Sequence, residues 1–292
     1  MLRISQQNIK MTIRLNYLDS YATINPFGAE LVDFYSKGKN YIWTINEQFW
    51  NKTSPVLFPI VGRLKNDTYR LSEKNYNLPR HGFARNHKFE VLHKSESTVI
   101  FSLTENEKTL IYYPFRFELT IKYTLLENSL KAEYSVKNNS ETQMPFSLGA
   151  HPAFAIDDSL EEYSIAFEND DYLTTHELEN EKFSGKTNSI TLQNRQLPLS
   201  NSLFEKDAIV LKQFNSEKIT ILKKNIPYLA VAVNGFPNLG IWTKPDAPFL
   251  CIEPWRGFAD NADTSGNIFE KEGIVILNTG DDFKASFTIT TL

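Results

Sequence analysis

Apolar residues recur at every second position through long stretches of this chain, and that period confines it to a fold of half-buried strands. Phe115-Arg116-Phe117-Glu118-Leu119-Thr120-Ile121 and Leu130-Lys131-Ala132-Glu133-Tyr134-Ser135-Val136 alternate strictly, which sends successive side chains to opposite faces of a sheet. Phe89-Glu90-Val91-Leu92 and Val99-Ile100-Phe101-Ser102-Leu103 are shorter runs of the same kind. Turn-forming clusters separate them, among them Glu127-Asn128-Ser129, Lys137-Asn138-Asn139-Ser140, Asn234-Gly235-Phe236-Pro237-Asn238 and Asn278-Thr279-Gly280-Asp281-Asp282. That spacing fits a sandwich or barrel better than βαβ units. The 21 Phe and 13 Tyr agree, since aromatic side chains suit a pleated surface. The fold class expected is therefore all-β, with helix limited to a turn around Asn46–Trp50 and another near Ile268–Glu272. The polar region 157–202 reads as strands with long exposed loops. No linker, low-complexity tract or repeat interrupts the pattern, so one domain is expected over 1–292. Residues 1–10 read as a flexible extension or as the product of an upstream start, because Met11-Thr12-Ile13-Arg14-Leu15 opens the first alternation.

Composition narrows the function classes. The 31 basic and 35 acidic residues leave a net charge of −4, which offers no excess of cations to a phosphate backbone. Nucleic acid is not an expected partner. Cys251 is the only cysteine, so no internal disulfide can form, and its apolar strand context makes it a packing thiol. No apolar run reaches the ~18 residues of a membrane span, and the first residues lack a secretory stretch. A cytoplasmic protein is expected, with the sequons at Asn51, Asn66 and Asn138 unmodified.

Three segments carry candidate chemistry. Glu253 follows the apolar run Pro248–Ile252, a context that buries a carboxylate, while His81 and His151 each sit among Gly, Pro and aromatic residues. Proline follows both Glu253 and His151, removing a donor and favouring extended backbone, so both are expected at strand ends or in rigid loops. On residue types alone the trio allows three readings: an acid/base pair in which burial raises the carboxylate into a working range, a two-histidine, one-carboxylate metal site, or polar groups satisfied by backbone. Asn261–Gly266 with Glu272 imitates a calcium loop, but its first ligand is Asn and its flanks are strand-like, so a turn is expected.

The segments Phe58–Leu64, Pro79–Ala84, Ser147–Phe154 and Cys251–Trp255, in that order and at those intervals, resemble the aldose 1-epimerase (galactose mutarotase-like) family over nearly the whole chain from about Ile13. The resemblance implies a β-supersandwich that interconverts the α and β anomers of a free aldose, a small-molecule sugar, without metal or organic cofactor, as a monomer or homodimer. It implies Glu253 as general base on the anomeric hydroxyl, His151 as the acid that protonates the ring oxygen, and His81 as a hydrogen-bond partner of the opening ring. Arg63 matches the substrate-binding arginine, Asp207 is a looser match for an acidic sugar-binding residue, and Trp242 and Trp255 are candidates to stack on the sugar. Trp50 is expected to be structural. Arg80-His81-Gly82 and Ala150-His151-Pro152 depart from the Asn-His pattern of the best-known mutarotases, which marks a divergent branch and leaves the sugar open. One variation is a hexose-6-phosphate 1-epimerase, with Arg80, Arg85, Lys244 and Arg256 near the motifs. The rivals from other classes are a non-catalytic carbohydrate-binding protein and a metal-dependent β-sandwich enzyme.

Overall fold

A computed structural model describes residues 12–292; the extension expected over 1–10 lies outside them. Two antiparallel sheets face each other. The larger has nine strands, in spatial order Gln196–Pro198, Tyr163–Phe167, Lys218–Lys223, Ile226–Asn234, Asp282–Thr291, Ser129–Asn138, Phe117–Leu125, Thr98–Thr104 and Glu90–Lys94. The strictly alternating segments form its adjacent strands Phe117–Leu125 and Ser129–Asn138. Leu119 pairs with Val136 and Ile121 with Tyr134 on the buried face, while Lys122 opposes Glu133 on the wet face and forms an ion pair at 3.3 Å. A one-residue slip would exchange these faces, so the apolar pattern itself holds the register.

The smaller sheet runs Ile209–Leu211, Asn238–Trp242, Phe249–Arg256, Leu148–Ala150, Val56–Leu57, with Ala153–Ala155 also pairing with Phe249–Arg256. Period two sorts its central strand. Leu250 and Ile252 join the cluster that contains Leu119, Ile121 and Tyr134 of the large sheet, whereas Phe249, Cys251 and Trp255 belong to separate clusters on the outer face. Glu253 shares that outer face by parity. It is buried because further chain covers the sheet there, including the two-stranded hairpin Tyr172–Glu179 and Lys182–Thr191.

The strands expected over 157–202 do form, but two of them are joined by a two-residue turn into this hairpin, which corrects the expectation of long exposed loops between them. A second correction is the α-helix Glu107–Tyr112, too short to show a helical period; Asn106 caps it by accepting from the Lys108 and Thr109 amides, and Thr109 Oγ1 accepts from the Asn106 amide. Turns do form at Asn46–Trp50 and Ile268–Glu270. In the calcium-like loop Asn261 Nδ2 donates to Glu272 Oε2 at 2.8 Å, which turns a side-chain donor toward the supposed ligand.

Candidate active site

Strand register brings the two central residues together. Gly149 pairs with Trp255 and Ala153 with Cys251, one continuous register on either side of a gap, so His151 falls opposite Glu253 inside that gap. Pro152 and Pro254 both lack the N–H that would continue the ladder there. Glu253 is thus mid-strand, not at the strand end expected, while His151 does follow a strand end. His151 Nε2 lies 3.1 Å from Glu253 Oε2, in a pair only 7% and 1% exposed. The alignment is poor, and Glu253 Oε2, His151 Nδ1 and Trp255 Nε1 have no hydrogen-bond partner. Three orphaned polar atoms in one place carry a desolvation cost that a ligand could relieve.

His81 enters from another part of the chain. Its backbone is left-handed, with φ of 66°, a conformation that collects at functional sites. The His81 amide donates to Gly62 O at 2.9 Å and the Gly62 amide donates to His81 Nδ1 at 3.1 Å. With Nδ1 accepting, a neutral His81 carries its proton on Nε2 and offers it as a donor. Its ring centroid is 6.0 Å from that of His151.

These three residues line one cavity with Arg63, Asp207, Trp242 and Trp255, so all seven sequence candidates meet there. The cavity holds about 180 Å³, the room of roughly six waters. Trp255 forms its floor. A Cβ on Gly240 would come within 2.6 Å of the Trp255 ring and one on Gly149 within 2.7 Å, so both neighbours must lack a side chain. Gly240→Ala is expected to displace the indole, costing about 1–3 kcal/mol of stability and raising KM; a denaturant midpoint measured beside the kinetics checks both.

Sequence reasoning missed two wall residues. Trp50, expected to be structural, stacks on His151 with centroids 4.9 Å apart and meets Trp242 edge-on at 5.7 Å. Its placement by a tight turn leaves no periodic signal. Glu181, at the tip of the hairpin, pairs with both Arg63 Nε and Arg80 Nη1 at 2.5 Å. Arg63 is further held by Asp67 at 2.8 Å. Arg80 and Arg85 also line the cavity; Lys244 and Arg256 do not. Lys244 Nζ donates to the Phe49 carbonyl, and Arg256 follows Trp255 and so points to the opposite face.

Burial sets the charge states. It drives Glu253 well above the usual carboxylate range, with Asp207 adding to the rise and Arg80 opposing it. It lowers His151 to about 3, and His81 well below its ordinary value, Arg80 reinforcing both. The empty pair therefore favours its neutral form, with one proton between them. Among the described residues the compact set of metal-ligand atoms is His151, Cys251 and Glu253, within 4.8 Å of one another, and not the trio with His81 that the metal reading used. Burial pushes the Cys251 thiol up, away from the thiolate a metal needs.

The aldose 1-epimerase family profile matches residues 11–290. The chain belongs to the aldose 1-epimerase family. Protein LacX, plasmid form, of Lactococcus lactis subsp. lactis is 34% identical, with 97% of this chain and 100% of that protein aligned. Among solved structures, a galactose mutarotase related enzyme from Lactobacillus acidophilus is 31% identical with a TM-score of 0.90, covering 97% of each chain. A galactose mutarotase-like protein from Lactobacillus casei is 29% identical with a TM-score of 0.91, covering 97% of this chain and 100% of that one. The β-supersandwich is thus the fold of this aldose 1-epimerase family member, and an epimerase its kind of enzyme.

Proposed function

We propose that the protein interconverts the α and β anomers of a free aldose by acid/base opening and closure of the sugar ring. The observation that carries this is the buried His151–Glu253 pair, 3.1 Å apart, whose unpartnered atoms border a cavity sized for one small polar ring. In the reactive form the shared proton sits on His151, so Glu253 as a carboxylate takes the proton from the anomeric hydroxyl while His151 as an imidazolium gives one to the ring oxygen. The bond from the anomeric carbon to the ring oxygen breaks, and the anomeric carbon becomes a carbonyl. Rotation about the adjacent carbon–carbon bond exposes the other carbonyl face, and the reverse transfers close the ring. One proton enters the substrate for each that leaves, so the pair keeps the same proton count throughout. A hemiacetal asks only for an acid and a base at two neighbouring oxygens, a service worth ~10²–10⁴-fold.

His81 Nε2–H donates to a sugar oxygen, and Trp50 and Trp242 wall the ring with apolar surface. A free sugar is favoured over its 6-phosphate because Arg63 and Arg80 already hold Glu181. The test is polarimetry or proton NMR of freshly dissolved α-aldoses and their 6-phosphates. At least one free aldose should equilibrate faster than buffer alone, with the phosphates unaffected. The reading is falsified if no free aldose is accelerated.

A further inference from the structure

We propose that Glu181 is a specificity-determining residue, a built-in anion that occupies the two-arginine seat at the cavity and excludes phosphorylated or otherwise anionic sugars. This rests on the cavity being a sugar site and concerns which sugars it admits. The seat is formed by Arg63 Nε and Arg80 Nη1, each 2.5 Å from a different oxygen of the Glu181 carboxylate. A carboxylate set between two guanidiniums takes the place a phosphate would use: it accepts a hydrogen bond from Arg80 Nη1 and pairs by charge with Arg63 Nε, whose hydrogen bond is not aligned. Arg85, the third lining arginine, donates to the Arg80 carbonyl. With Glu181 in place the charged lining is Arg63, Arg80 and Arg85 against Glu181 and Asp207, Glu253 being held neutral. Its removal leaves three cations facing one anion.

The turn that carries Glu181 points the same way. Glu179 pairs with Lys182, so Asn180 and Glu181 form a two-residue hairpin loop, and both are left-handed, with φ of 51° and 61°. Such a loop favours Asn followed by Gly. Asn180 meets that preference, but Glu181 stands where glycine is easiest, so the turn does not account for its presence. Just beyond the tip, the Phe183 amide donates to Asp260 O at 2.9 Å and the Ala262 amide donates to Phe183 O at 3.1 Å, which ties the hairpin down beside the arginines.

The experiment measures binding of inorganic phosphate by titration calorimetry to the wild type, Glu181→Gln and Glu181→Gly. The glycine variant suits the turn, so loss of folding does not cloud the result. Because ion pairs at this exposure are partly screened, the expected gain is about tenfold or more in phosphate affinity for both variants over wild type. Adding Arg80→Ala to Glu181→Gly should return the affinity toward the wild-type level. The proposal is overturned if the wild type binds phosphate as tightly as the variants, or if the Arg80→Ala addition leaves the gain intact. Phosphate binding needs no turnover, so a failure here is distinct from a failure to anomerise any aldose.

Discussion

Glu253→Gln is expected to lower kcat by about 10²–10⁴-fold while making the folded protein harder to unfold. The first effect follows from removing the base; amide and carboxyl have similar size, so sugar binding should persist. The second follows from linkage. Burial raises the carboxyl well above its usual range in the native state, whereas in the unfolded chain it ionises normally. A raised native pKa gives a contribution that is fully present below the unfolded pKa and lost as pH climbs through the native one. At neutral pH the wild type must take up a proton on folding or bury a charge, and glutamine is spared that cost. The variant should gain roughly 0.5–2 kcal/mol, the range typical of relieving a destabilised functional group, and the gap should widen from acid toward neutral pH. Thermal scans at several pH values, beside NMR of anomer exchange, check both halves. A variant that exchanges anomers at the wild-type rate would remove Glu253 from the mechanism.

His151→Asn should cost a similar ~10²–10⁴-fold in kcat, and combining it with Glu253→Gln should cost little more than either change alone. Two groups that pass protons through one substrate act as a unit, so their losses do not multiply. The pH profile of the wild type carries the same signature. Activity needs one proton on the pair, and a second would have to go onto an imidazole that burial holds at about 3. The acid limb should therefore lie far below the range of a free histidine. The alkaline limb marks loss of the shared proton, and because burial raises Glu253 it should lie above the ordinary carboxylate range. An acid limb near 6.5 in kcat/KM would show that His151 titrates as an exposed imidazole. The paired-proton mechanism would then be wrong.

Much of this was legible in the chain. Strict alternation over Phe115–Ile121 and Leu130–Val136 specified strands and their buried faces, because the side-chain period of a strand is local and leaves its mark in any short window. Glu253, His81 and His151 stood out because their neighbours were apolar, glycine or proline, and the segment Phe58–Leu64 supplied Arg63, while Asp207 came only from a looser match outside the four motifs. The short helix Glu107–Tyr112 escaped because six residues make less than two turns and its stability comes from a cap rather than a stripe.

What tertiary structure alone decided is which of these residues share a place. His151 meets Glu253 because the ladder resumes in the same register on both sides of a gap between prolines, and Trp255 forms a floor because Gly149 and Gly240 stand beside it in pairing strands. Trp50 and Glu181 reach the cavity from a tight turn and a hairpin tip. Nothing in their neighbours' composition marks them, since a side chain's partners across a sheet are set by strand pairing between distant segments. Periodicity records which face a residue takes, but not who lies opposite.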